Sequence, residues 1–353
     1  MGQTKNKKRI EYLDIAKGIG IIMVVWAHAN GPFRNFIYQM HMPFFFLLSG
    51  LLYNSGTSLK SFFLKRLKSL YIPFAFWNSF SFCIKSYLHG IRLRSIAQHV
   101  LRILLMIEKD GQFFGATWFL PALFMAEVVY KTIDICIGDI KNKDLILLGL
   151  FSVSACFGFR FTLEYMFSRT LILSMFYAAG VSLQKHRLFV RKYISLWSAV
   201  LSAILFAVIA GHNSANMGAN KYTSPSLFTA GSFAASYALL YFCRFADRFH
   251  DPVTVRIFSH LKYLGARSKD ILIWQFVVFR IVIVNDINTD RLSAFDNTFS
   301  VGYIYKLPTI TDINLFNAVL CSLRYTVNVS CCRIVDIDCI SSFTVSKDSG
   351  CFL

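Results

Sequence analysis

The chain has 353 residues, of which 55% are hydrophobic and 16% charged, with a formal net charge of +18. Soluble domains carry roughly a quarter charged residues, whereas apolar blocks here recur along nearly the whole length and many approach the ~20 residues of a membrane-crossing helix. A large soluble core and a membrane β-barrel of short alternating strands are excluded, and the expectation is an all-α, polytopic transmembrane helical bundle. Lys and Arg cluster in short loops between the apolar blocks, as the positive-inside rule expects. With no basic helix or zinc-finger spacing beside them, nucleic acid is not an expected partner. The nine cysteines include no CxxC pair, and those inside apolar blocks behave as small hydrophobes.

Residues 1–12 are read as a polar and basic N-terminal segment that stays cytoplasmic. Span one covers about Leu13–Ala29. Its apolar run is too short to cross alone, so Asp14 and Lys17 lie at or inside the membrane edge. Ala27-His28-Ala29 resembles a cleavage site, but Asp14, Lys17 and the many later spans favour a retained helix. Span two is placed at about Met42–Tyr53 and opened by His41. The segment KSFFLKRLKSLYIP is read as a cytoplasmic loop carrying Lys60, Lys65, Arg66 and Lys68.

Span three is about Ile72–Leu88, with Pro73 in its first turn, where it removes no helix bond. Residues 91–112 read as an amphipathic interfacial helix. Span four starts at Trp118 in GATWFLPALFMAEVVY and carries Glu127; a loop with Lys131, Lys141 and Lys143 follows. Spans five (about Leu145–Phe159) and six (about Leu171–Leu183) form a hairpin that ends in the basic KHRLFVRK. Span seven is about Ile194–Ala210, span eight about Leu227–Phe245 and span nine about Ile271–Val284. GHNSANMGANKYTSPS suits an outer loop and RFADRFHD an inner one. IYKLPTITDINLFNAVLCSL is apolar enough to begin a tenth span, but the Cys-, Ser- and Asp-rich residues after it are not apolar enough to finish one.

At 100° per residue, Asp14, Lys17, Ile21, Val24 and His28 fall along one helical stripe. Asp14 and Lys17, three apart, are spaced to pair, and His28 lies about 16 Å along the axis from Lys17. Ionisable groups inside a membrane helix are costly and favour a functional reading, although Lys17 can snorkel and His28 can be structural. His28 and His41 flank one outer loop, so both imidazoles belong at one end of the bundle. Two such rings suit acid–base chemistry, while the absence of a third ligand at helical spacing speaks against a metal. Lys65, Arg66 and Lys68 read either as positive-inside anchors or as a clamp for an anionic donor. Trp118 reads as an interfacial belt residue, and Gln275 as a polar group bonding across helices. These features alone leave an enzyme and a transporter equally open.

LDIAKGIGIIMVVWAH followed by HMPFFFLLSGLLY resembles the membrane-bound acyltransferase family 3, near its O-antigen and fucose 4-O-acetylase-like branch. KRLKSLYIPF, TWFLPALF and YLGARSKDILIWQF fit the same family in the same order. The resemblance covers about residues 9–285. It implies a bundle of about ten helices, here the 13–285 membrane domain, set in a bacterial inner membrane. It also implies transfer of an acyl group, usually acetyl, from cytoplasmic acetyl-CoA to a carbohydrate acceptor. The family's basic residue and histidine map onto Lys17 and His28. Its paired arginines map onto Arg66 and Ser69, so the second is missing and Lys65 and Lys68 are left to supply charge. Where the family often has histidine, this chain has Gln275. The implied catalytic set is His28 with His41, Asp14 and Lys17; the implied CoA-binding set is Arg66, Lys65 and Lys68. A lipid-linked-sugar flippase, or an inactive relative altered in the divergent region 286–353, is the rival expectation.

Overall fold

The computed structural model describes residues 11–29, 31–88, 90–109, 114–163, 166–186, 194–249 and 251–286. Its architecture is all-α. The helices are α1 (Glu11–His28), α2 (Arg34–Leu51), α3 (Leu59–Arg66), α4 (Ile72–Leu88), α5 (Leu93–Leu104), α6 (Phe119–Ile137), α7 (Lys143–Arg160) and α8 (Phe167–Lys185), then α9 (Leu196–His212), α10 (Pro225–Ala246), α11 (Pro252–Ala266) and α12 (Ser268–Asp286). A small antiparallel ribbon, β1 (Ala215–Asn216) with β2 (Lys221–Tyr222), decorates the α9–α10 connection. The expected tenth span and the cysteine-rich tail lie outside the described residues.

Local chemistry sets many of the ends. Ser224 and Asp251 accept from backbone N–H groups of the first turns of α10 and α11, and each is followed by proline, whose fixed φ suits a helix start. Ser195 and Ser198 form a reciprocal capping box on α9. α6 stops at Gly138, whose φ of +71° favours a residue without Cβ.

Two expectations need correction. The basic segment after α2 is helical rather than a loop: α3 runs through one wide turn at Leu67–Tyr71 into α4. Pro73 therefore lies inside a continuous helical run, directly after a π-type turn of the kind that interrupts the regular bonding ladder. Next, α2 begins at Arg34, so His41 sits in mid-helix and Pro43 is internal to it. The missing N–H of Pro43 leaves the Gln39 carbonyl without its helical partner, and Ser232 Oγ of α10, whose single proton is shared with the Phe228 carbonyl of its own helix at 2.7 Å, reaches that carbonyl at 2.6 Å. The replacement bond lets the helix continue through the proline. The stretch between the eighth and ninth apolar blocks, to which the sequence assigned no element, contains α11, whose more covered positions include 254, 258, 261, 262 and 265, at helical spacing.

α2 is the hub, packed against α1, α8, α9 and α10. Glycines permit the closest crossings. A Cβ at Gly50 would meet the Tyr177 backbone and one at Gly180 the Leu47 backbone, while Gly18 and Gly265 do the same for α1 on α11. Such small-residue crossings are typical of helix packing in lipid. Among the described residues, α10 is the one helix both long and apolar enough to cross a membrane by length and composition, and α9 is a shorter apolar helix. The core is mainly apolar, but it also encloses ionisable groups while many large apolar side chains lie on the surface. Asp14, Glu127, Lys131, Asp134, Arg169 and Gln275 are buried, while Phe76, Phe80, Leu150, Val153, Phe157, Trp197, Leu201 and Ile204 are exposed.

Candidate active site

α1 delivers His28 at its C-terminal end, and α2 delivers His41 beside it. The ring centroids are 6.4 Å apart and the rings nearly perpendicular. Tyr38 lies 6.1 Å from His28 and 5.5 Å from His41, and Phe276 of α12 lies 5.0 Å from His28. His41 is buried and its Nδ1 donates to the Ile37 carbonyl at 2.7 Å. That bond holds the proton on Nδ1 and leaves Nε2 as the basic nitrogen of the neutral ring. His28 is half-buried, with Nδ1 3.3 Å from Gln275 Oε1. The two histidines from separate helices thus share one aromatic-walled corner. Trp77 and Trp274, 4.6 Å apart, extend the wall, with Phe114 6.0 Å from Trp274.

Asp14 and Lys17 pair at 3.4 Å and lie toward the other end of α1, about 21 Å and about 16 Å from His28 by helical rise. Asp14 is buried, and its carbonyl lies against Gly265 of α11. The pair therefore sits at the α1–α11 crossing and away from the histidines.

The basic segment separates into two kinds of residue. Lys65 and Lys68 are exposed on the helical run. Arg66 turns inward, its Nε 2.6 Å from Glu127 Oε2 and its guanidinium 5.2 Å from the Phe62 ring. Glu127 begins a buried polar face on α6 that continues through Lys131 and Asp134. Lys131 donates to the Ser55 carbonyl at 2.7 Å, and the Tyr53 hydroxyl donates to Asp134 at 2.6 Å. Lys143 at the start of α7 pairs with Asp134 at 3.1 Å. Tyr53, Tyr130 and Tyr177 close over this group with ring centroids 5.2–6.2 Å apart. Sequence reasoning assigned Lys131 to a loop and missed Asp134 and the tyrosines. The signal was present, since positions 127, 131 and 134 fall on one helical face.

Trp118 is not a belt residue. It is buried, with the guanidinium of Arg169 5.0 Å from its ring, and Arg169 donates to the Gly218 carbonyl of the outer connection. Arg169 lies just before the sixth apolar block beside Ser168 and Thr170, so it reads in the sequence as a loop residue. Among the described residues no three His, Cys, Asp or Glu side chains converge as metal ligands would. Two polar centres remain: the histidine corner, and the Arg66–Glu127 cluster near the far end of α2, whose run from His41 to Leu51 spans about 15 Å.

Residues 10–297 match the family model described as an acyltransferase domain. No curated protein and no solved structure matches the chain.

Proposed function

The chain belongs to the membrane acyltransferase family 3, and from that premise we propose that it is a multi-pass membrane O-acyltransferase of a bacterial inner membrane. The acyl group, acetyl in the first instance, comes from cytoplasmic acyl-CoA and goes to a sugar hydroxyl of a surface polysaccharide or its lipid-linked precursor. Membership supplies acyl transfer as the reaction class. The exposed large apolar side chains and the enclosed ionisable groups support the setting, because both suit a hydrocarbon solvent.

The observation that carries the reading is the pairing of His28 with His41 in an aromatic corner at one end of α1 and α2. Acyl transfer needs a base for the attacking hydroxyl. In the proposed step His28 removes that proton as the sugar oxygen bonds to the thioester carbonyl. The carbon–sulfur bond then breaks, and the CoA thiolate leaves with a proton from the imidazolium. Transient acylation of His28 is the covalent variant of the same chemistry. His41 and the tryptophans shape the acceptor end, while Asp14 and Lys17 fix the lower part of α1. Lys65 and Lys68, exposed beside Arg66, attract the donor phosphates, with Arg66 held ready by Glu127.

His28→Ala tests this reading. Membranes carrying the variant at wild-type abundance are given labelled acetyl-CoA and acceptor glycan, and transfer falls by about 10²–10⁴-fold, the usual contribution of a general base. Undiminished transfer would remove His28 from the chemistry. Glycan translocation without any transfer of label, in the unaltered protein, would establish the flippase instead.

A further inference from the structure

We propose that Gln275 is the positioning residue that sets the tautomer of His28, holding the ring proton on Nδ1 and presenting Nε2 as the base. The inference deepens the acyltransferase reading and rests on it for the role of Nε2, though not for the tautomer itself.

Two bonds carry the argument. Gln275 is fully buried on α12, and its Nε2 donates to the Leu272 carbonyl at 3.2 Å. A carbonyl can only accept, so the amide nitrogen must face Leu272 and the amide oxygen must face the other way. That oxygen lies 3.3 Å from His28 Nδ1. An amide oxygen also only accepts, so Nδ1 carries the proton and the neutral ring has its lone pair on Nε2. Turning the amide over would aim its nitrogen at His28 Nδ1, which could then accept, but it would set the amide oxygen against the Leu272 carbonyl oxygen and give up the bond made there, at a cost. His41 reaches the same tautomer through the Ile37 carbonyl. Both rings of the corner therefore present Nε2, one oriented by its own helix and the other from α12. A neutral orienting group has a further effect. Unlike a carboxylate, Gln275 fixes the tautomer without a full charge that would hold the ring protonated, which suits a base that must be neutral before each turnover.

The test uses the full-length protein in detergent with ¹⁵N-labelled histidine, the His28 signals being identified by their loss in His28→Ala. At a pH where the ring is neutral, the unaltered protein should show Nδ1 as the protonated and Nε2 as the unprotonated nitrogen. Gln275→Met fills a similar volume without an acceptor and should shift His28 toward the other tautomer, while Gln275→Glu, which retains an acceptor oxygen, should keep the original one. In acyl transfer, Gln275→Met should lower kcat by about tenfold or more and leave the KM for the donor little changed. A protonated Nε2 in the unaltered protein overturns the inference without recourse to any variant, as does an unchanged tautomer or unchanged kcat in Gln275→Met. If the unaltered protein transfers no acyl group but shows the expected tautomer and its change in Gln275→Met, the positioning inference stands and the proposed reaction falls.

Discussion

Arg66 shows how one side chain can satisfy two demands read from the sequence. A basic residue after the second span suits both anchoring and donor binding, and the structure adds a buried carboxylate partner on another helix. Glu127 is 1% exposed and Arg66 24%. Removing one member of a wholly enclosed pair costs about 3–5 kcal/mol, and the part-exposed arginine reduces this to about 2 kcal/mol. Glu127→Leu should therefore lower thermal stability in detergent. Arg66→Met combined with Glu127→Leu should recover much of the loss, since no unpaired charge remains, and a double-mutant cycle in thermal unfolding measures the coupling. Failure of the double variant to recover would mean that the pair acts through some other contact. The histidine stripe and Arg66 were legible because ionisable groups stand out in apolar blocks. Their partners were not, because Glu127 and Gln275 meet Arg66 and His28 across 61 and 247 residues of sequence respectively only once helices pack.

At the scale of the element, α2 depends on a bond supplied by its neighbour. Ser232→Ala should strand the Gln39 carbonyl freed by Pro43, at a cost of about 1–3 kcal/mol. Pro43→Ala restores a backbone N–H in register with that carbonyl, so adding it to Ser232→Ala should return stability toward that of the unaltered protein. Thermal unfolding of the single and double variants checks the pairing, and a double variant no better than Ser232→Ala would refute it. α11 offers a pH-dependent case. The Asp251 carboxyl is held below the ordinary carboxylate range by its hydrogen bonds from Thr254. Its capping contribution is therefore present above that range and is lost as pH falls through the lowered value, which amide exchange at Thr254 reads directly. Most helix positions were legible from apolar block length. α3 and α11 were not, because charged residues interrupt the apolar ones on both and neither forms a long apolar block.

Across the whole molecule, several charged groups are enclosed within a largely apolar interior while many large apolar side chains face outward, and the proposed orientation follows from the alternation of basic and small polar connections. A reporter enzyme active only beyond the membrane should be active when inserted within residues 213–224 and silent within 139–142. Activity at both positions would overturn the proposed topology. The all-α class and family were legible from composition and motif order, whereas the two-centre layout required the bundle. That layout also has a consequence for the host membrane. α2, 18 residues long, rises only about 27 Å, shorter than a hydrocarbon core of ~30 Å. Such a deficit is relieved by local thinning of the bilayer, which would bring the two aqueous faces closest where the acyl group must pass. Hydrophobic mismatch thereby links this protein to lipid chain length: reconstituted into phosphatidylcholines of increasing acyl length, it should lose transfer rate steadily, with short-chain bilayers supporting the fastest reaction.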